Sequence, residues 1–410
     1  MKKLLALLLS TLAANTLAAD TLKIALTGPF SGGSAPMGTS ARDGSKLAIA
    51  EINAAGGISV GGKKLKIEFI ERDDEAKNER GAIIAQELAA MKDLSGVIGS
   101  VNTGVVMAGD KHLQDAGITK IICPAAGSAS MTQWADKPGQ PGPKDLSIFR
   151  FAAHDGIQSA MVVEEAINRK YTKVALLHDA TNYGVSGRDD MLDQIKKQGS
   201  KLQVVTVEKF NIGDKDMSAQ LLKGKALGAQ AVLIWGIGPE LAAVANGMAK
   251  LGWKVPLIGS WTLSMANYID NAGANGEGAR MPQTFIQDPN TPKRKAFIDA
   301  YLKEFKPKNG RIDSPVSAAQ GYDSVYLLAA AITQAGSTDG PKVRAALENL
   351  NKKVDGVVMV YDKPFSHDNH EAISANEPVV GEVKGGRVVY AYDNDKKGGS
   401  QQPVKQASAN

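Results

Sequence analysis

The chain has 410 residues, 43% of them apolar and 22% charged, a composition typical of soluble globular proteins. At roughly 100–200 residues per domain it has room for two or three cores, so disorder and a polytopic membrane protein are excluded as descriptions of the whole. A formal charge of +5 is small for a nucleic-acid binder of this length. The single cysteine, Cys123, excludes an intramolecular disulfide and a cysteine-rich metal site.

Residues 1–19 open with Lys2 and Lys3, continue as an apolar run over 4–9 and end in small residues. That is the pattern of a secretory signal peptide. A membrane anchor needs about 20 apolar residues, and this run breaks at Ser10, Thr11 and Asn15. No later stretch is long and apolar enough to insert, so the mature chain is expected free and soluble outside the cytoplasm, which in a Gram-negative bacterium is the periplasm. Losing Lys2 and Lys3 lowers the formal charge to +3.

From Thr21 onward, short Ile- and Val-rich runs alternate with stretches of helical periodicity. The spacing predicts strands over 22–27, 65–71, 96–101 and 120–123, with helices over 40–54, 78–91 and 103–116 between them. After a proline-rich loop at 136–145 the rhythm restarts. Strands are predicted over 174–178, 204–210, 231–235 and 257–259, and helices over 187–198, 218–227 and 239–251. Alternating units of this kind imply parallel sheets covered by helices on both faces, and two such blocks imply two α/β lobes. Beyond residues 281–292 come helices over 293–305, 316–335 and 341–349, then late strands over 354–361, 377–383 and 387–392. Residues 396–410 lack apolar periodicity and are expected to be disordered.

Catalytic signatures are missing: there is no GxGxxG, Walker loop, GxSxG or HExxH. His367 and His370 lie in a polar, turn-like segment and are expected to be solvated. The acidic run over 71–75 reads as a solvated face, and Cys123 as buried and inert. His178-Asp179 is the one titratable pair that invites an enzymatic reading. A more coherent pattern lies at the strand-to-helix junctions, because ligands of open α/β sheets bind beyond the carboxyl ends of the strands. Asn102 and Thr103 open a helix whose free N–H groups suit an anion, unless they only cap it. Loop 123–128 is made of small residues that let a ligand approach the backbone. Segments 178–184, 235–240 and 28–38 supply Tyr183, Ile237, Gly238 and Met37.

These landmarks resemble the substrate-binding proteins of branched-chain amino acid ABC transporters, the leucine/isoleucine/valine-binding type. The resemblance spans about residues 21–392 and rests on the ordered blocks KIALTGPFSGGSAPMG, AIAEINAAGGI, GVIGSVNTGVVMA, IICPAAGSA, KVALLHDATNYGVSG and QGYDSVYLLAAAI. It implies a type I periplasmic binding protein: two doubly wound parallel-sheet lobes joined by a three-stranded hinge. Lobe one is then expected over 20–149 and 282–362, and lobe two over 150–281 and 363–395. It further implies a monomer without cofactor, metal, nucleic acid or membrane insertion, which captures a small molecule by hinge closure and hands it to the permease subunits. A ligand sensor and a two-lobed enzyme are the rival classes.

Carried over by position, Thr103 and Ala125 match residues that hold the ligand carboxylate, with Asn102 beside them. Gly127 stands where a Thr or Ser is usual, and Ser128 is the candidate substitute. Tyr183 matches a ligand-contacting tyrosine, Met37 a side-chain-pocket residue, and Ile237 or Gly238 a position often aromatic. Trp261 is the informative departure, since amino-acid-binding members carry there a Glu that pairs with the ligand's ammonium. Removing one partner of a buried charged pair costs about 2–5 kcal/mol. A buried Trp offers instead about 4–6 kcal/mol of apolar contact. That trade favours a small carboxylate with a flat or apolar body, possible aromatic acids among them, over a branched-chain amino acid. Two alternatives stay open: Trp261 packing only within its own lobe, and Asp179 or Glu240 taking over the ammonium.

Overall fold

The computed structural model describes residues 21–138 and 140–397, so the leader expected over 1–19 and residues 398–410 of the expected tail lie outside the described residues. The first sheet contains β1 (Thr21–Gly28), β2 (Ile58–Val60), β3 (Lys63–Asp73), β4 (Leu94–Ile98), β5 (Lys120–Ile122) and β6 (Ile148–Arg150), in the order β2-β3-β1-β4-β5-β6. All neighbours are parallel except the β2–β3 hairpin. In β1 the run from Ile24 to Gly28 is buried on both faces, as expected for a central parallel strand between two helical layers. The second sheet is built from β7 (Lys173–Asp179), β8 (Gln203–Phe210), β9 (Ala231–Trp235), β10 (Leu257–Gly259) and β11 (Arg280–Gln283). After β12 (Val354–Asp355) and β13 (Val360–Tyr361), the chain returns to it with β14 (Val379–Lys384) and β15 (Arg387–Tyr390) as an antiparallel edge. Its order is β15-β14-β11-β10-β9-β7-β8.

The long helix Pro315–Ala335 belongs to the first lobe, where it lies on helix Ala35–Ala54. The two approach so closely that a methyl group on Gly44 would come within 2.0 Å of the Ala318 carbonyl, and one on Gly321 within 2.2 Å of that of Ala41. Only glycine permits this contact. It brings Ala318, Tyr322, Val325 and Leu328 into one core with Leu22, Ile24 and Ile98.

The chain crosses between lobes three times, after β6, after β11 and before β14. The third crossing comes later than the sequence predicted. Residues 363–395 were expected in lobe two, yet Phe365, Ala372 and Ile373 are buried in the first lobe's core. The backbone of Arg150 pairs with His370 and Ala372 across 2.8 and 3.0 Å, which keeps this segment beside β6.

Other expectations also change. The strand expected over 354–361 is two short pieces, because the buried Asp323 carboxylate accepts the N–H groups of Val357 and Val358 and the hydroxyl of Tyr361 at 2.6–2.9 Å. Burial pushes the Asp323 carboxyl up to about 6. His370 is buried rather than solvated. It stacks on Phe149 at 3.9 Å between ring centroids and places Nδ1 2.9 Å from the Ile148 carbonyl. The acidic run is not a solvated face throughout: Asp74 is fully buried, bonds Thr27 and is pushed up to about 6 by burial. Cys123 is buried, its thiol pushed up to about 11. No described helix is long and apolar enough to cross a membrane.

Candidate functional site

The first wall of the interlobe cleft begins where β4 ends. Helix Thr103–Asp115 makes its first internal bond from the Val106 N–H to the Asn102 carbonyl, at 3.0 Å. The N–H groups of Thr103, Gly104 and Val105 therefore have no partner within the helix. Neither Asn102 nor Thr103 caps this end through its side chain. Asn102 donates instead to the Ser34 hydroxyl at 3.1 Å, and its Oδ1 is left unpartnered. Thr103 is 1% exposed with an unpartnered hydroxyl oxygen. A buried, unsatisfied hydroxyl costs about 1–3 kcal/mol, a cost that a ligand acceptor would remove. The fully buried Lys120–Asp110 ion pair secures the helix from below, and Lys120 also donates to the Ser100 hydroxyl at 3.2 Å.

Loop 124–128 runs beside this helix end. The Arg150 guanidinium donates to the carbonyls of Ala126 and Gly127 at 3.1 and 2.8 Å and is itself held by Glu371. Both carbonyls are thus occupied by a cation and do not oppose a bound anion. Gly127 has no room for the Thr or Ser usual in the resembled family, since a Cβ there would lie 2.2 Å from Thr103 Oγ1. Ser128 does not replace that hydroxyl: its Oγ donates across the cleft to Asp190 at 2.6 Å. The Ala125 side chain turns away into the first lobe's core.

Large side chains make the opposite wall. Tyr183 sits in the first turn of helix Asn182–Lys197, which Thr181 caps by accepting the Gly184 N–H. Tyr183 is buried with its phenol oxygen unpartnered. Trp235 ends β9, fully buried, its ring 6.0 Å from that of Tyr183. Trp261 opens the turn Trp261–Ser264 with its backbone pinned: Gln158 accepts its N–H and Gln283 donates to its carbonyl, each at 3.1 Å. Tyr183, Trp235, Ile237, Trp261 and Met265 share one buried cluster with Met37, Val101, Ala126 and Val316 of the first lobe. Gly238 stands at the rim, where Gly33 of the first lobe approaches Pro239 and Gly238. Asn267 adds a further tie across the rim, donating to the Gly33 carbonyl at 2.8 Å.

Asp155 is a residue that sequence reasoning missed. It begins helix Asp155–Asn168 just after the first crossing, fully buried, and its N–H donates to the Ala126 carbonyl at 2.9 Å. Its Oδ2 accepts the Ser186 hydroxyl at 3.4 Å, while its Oδ1 has no partner within hydrogen-bond distance, although the Trp235 indole N–H is near enough to favour the ionised carboxylate. Burial, reinforced by Asp190, holds its carboxyl well above the usual carboxylate range. An Asp in a first helical turn reads as a dipole partner; only the fold shows it buried between the lobes. Of the two carboxylates weighed from sequence, Asp179 is engaged elsewhere, accepting the N–H groups of Thr181 and Ile237 at 2.9 and 2.8 Å. Glu240 accepts the Gly213 N–H at 2.7 Å through Oε1, while its buried Oε2, beside Gly238, has no partner. His178 and Asp179 do not form an acid–base pair, because the ring nitrogen faces the Asp179 backbone carbonyl.

Residues 21–387 match the periplasmic binding protein family. The leucine-, isoleucine-, valine-, threonine- and alanine-binding protein of Pseudomonas aeruginosa is 30% identical over 83% of this chain and 86% of its own length. A periplasmic binding protein type 1 from Bordetella pertussis superposes with a TM-score of 0.79 at 28% identity, over 90% of this chain and 99% of that one. A solute-binding protein from R. palustris, solved with benzoate, shares the fold with a TM-score of 0.73 at 22% identity, over 90% and 95%. Members of the family are solute-binding proteins rather than enzymes. The chain belongs to the type I periplasmic binding proteins, as a substrate-binding protein of the branched-chain amino acid transporter type.

Proposed function

We propose that the protein captures a small organic acid between its lobes in the periplasm, as a monomer, and delivers it to the permease of an ABC importer. The ligand carboxylate takes the Thr103 hydroxyl and the free N–H groups at the start of helix Thr103–Asp115, beside Gly127. Its flat or apolar body lies against Trp261, Tyr183, Met37 and Ile237. Such a ligand touches both lobes, so it favours the closed arrangement by its differential contacts. The observation that carries this reading is the pairing of an unpartnered, buried Thr103 hydroxyl with an opposite wall whose residue 261 is an indole.

Asp155 supports a second reading, in which the ligand is an α-amino acid. Its unpartnered, buried oxygen suits an ammonium group, and ionisation would then be restored by the opposite charge. Calorimetry with benzoate, phenylalanine and leucine separates the two. For the organic-acid reading, benzoate binds with a Kd near micromolar, about −8 kcal/mol. Trp261→Ala then weakens it about a hundredfold or more, and Asp155→Asn leaves it nearly unchanged. Leucine binding that Asp155→Asn abolishes and Trp261→Ala spares would overturn that reading in favour of the amino acid.

A further inference from the structure

Arg150 ends β6 at the first crossing and is almost wholly enclosed, 2% exposed. Its backbone lies alongside the segment that leads into the third crossing: its N–H donates to the His370 carbonyl at 2.8 Å and its carbonyl accepts the Ala372 N–H at 3.0 Å. Its guanidinium joins two further places. Nε and Nη2 fork onto the Glu371 carboxylate, with Nε 2.8 Å from Oε2. Nη1 donates to the carbonyls of Ala126 and Gly127 at 3.1 and 2.8 Å. The C=O and N–H of a trans peptide point in opposite directions, so these two bonds turn the N–H groups of Gly127 and Ser128 away from Arg150. Neither N–H donates to a described residue, and Gly127 packs directly against Thr103. The other buried cation of this wall, Lys120, is spent on Asp110.

We infer that Arg150 is a positioning residue for the ligand carboxylate, acting through loop 126–128, and that Glu371 sets how much of its charge the ligand feels. This rests on the carboxylate site proposed above, which the organic-acid and amino-acid readings share. The planar fork holds two consecutive carbonyls and a carboxylate at once, an arrangement that the point charge of a lysine does not reproduce. It thereby adds two aimed N–H groups to those at the start of helix Thr103–Asp115. A cation behind the loop also attracts an anion in front of it, because burial leaves the interaction poorly screened. Its field reaches the space between the lobes: burial raises the carboxyls of Asp155 and Asp190, and Arg150 works against that rise in both. Glu371, on the other edge of the guanidinium, offsets the same charge. Neutralising Glu371 therefore strengthens the pull on a bound anion. Since Glu371 belongs to the approach to the third crossing, anion affinity is tied to how that segment is seated beside β6.

The test is calorimetric titration of the mature protein with benzoate and with leucine at fixed salt and pH 7, for wild type, Glu371→Gln, Arg150→Lys and Arg150→Met, with thermal melting of each. For whichever acid binds wild type, Glu371→Gln is expected to tighten binding about three- to tenfold without a gain in melting temperature. Arg150→Lys, which keeps the charge and loses the fork, weakens it about tenfold, and Arg150→Met about a hundredfold. The sign at Glu371 is decisive, because loss of a merely structural brace weakens binding and does not tighten it. Unchanged or weaker binding by Glu371→Gln overturns the inference and leaves the carboxylate site standing, as does Arg150→Lys binding no better than Arg150→Met. Failure of both acids to bind wild type overturns the carboxylate site and this inference together. Glu371 is partly exposed, so its variant decides even if both substitutions of the buried Arg150 unfold the protein.

Discussion

The two walls of the cleft are built on different principles. The first-lobe wall is backbone, one hydroxyl and a glycine, all placed by strand-to-helix junctions and braced from behind by Arg150 and Lys120. The second-lobe wall consists of large side chains, Tyr183, Trp235 and Trp261, with the buried Asp155 between them. Anion recognition by helix N–H groups is indifferent to what the acid carries, whereas apolar walls and a lone buried carboxyl discriminate by shape and charge. In the proposed function, the first wall would therefore set the class of ligand and the second its identity.

That division is broken most severely at Gly127. Adding a methyl group there places it 2.2 Å from Thr103 Oγ1, so Gly127→Ala is expected to displace the hydroxyl and weaken any carboxylate ligand about a hundredfold, while costing about 1–3 kcal/mol of stability. Titration together with thermal melting checks it; unchanged affinity would remove Thr103 from the site. A smaller effect is expected at Asp190, which touches no ligand in this account but receives the Ser128 hydroxyl across the cleft. Asp190→Ala should weaken binding about tenfold by loosening the closed form. Stopped-flow kinetics should show the change in dissociation rate rather than association rate.

The sequence made the first wall legible and the second only in part. Thr103 and loop 124–128 follow hydrophobic strands and precede a helix, a local pattern that places them at the sheet's carboxyl edge without knowledge of tertiary contacts. Ser128 was misassigned because its partner Asp190 is 62 positions away on the other lobe. Asp155 was missed because burial between lobes leaves no local trace, and Trp235 was placed in the candidate junction 235–240 without being singled out from it. The same limit explains His370 and Asp74, polar residues in polar segments that the fold nevertheless buries. Phe365, Ala372 and Ile373 fell on the wrong side of the third crossing because an apolar residue in an irregular segment does not announce which core it will join.

The most direct measurement is identification by mass spectrometry of the small molecule released when protein purified from its native host is denatured. The account predicts a monocarboxylate with an aromatic or other flat body. A sugar, a polyamine or another ligand without a carboxylate would contradict it.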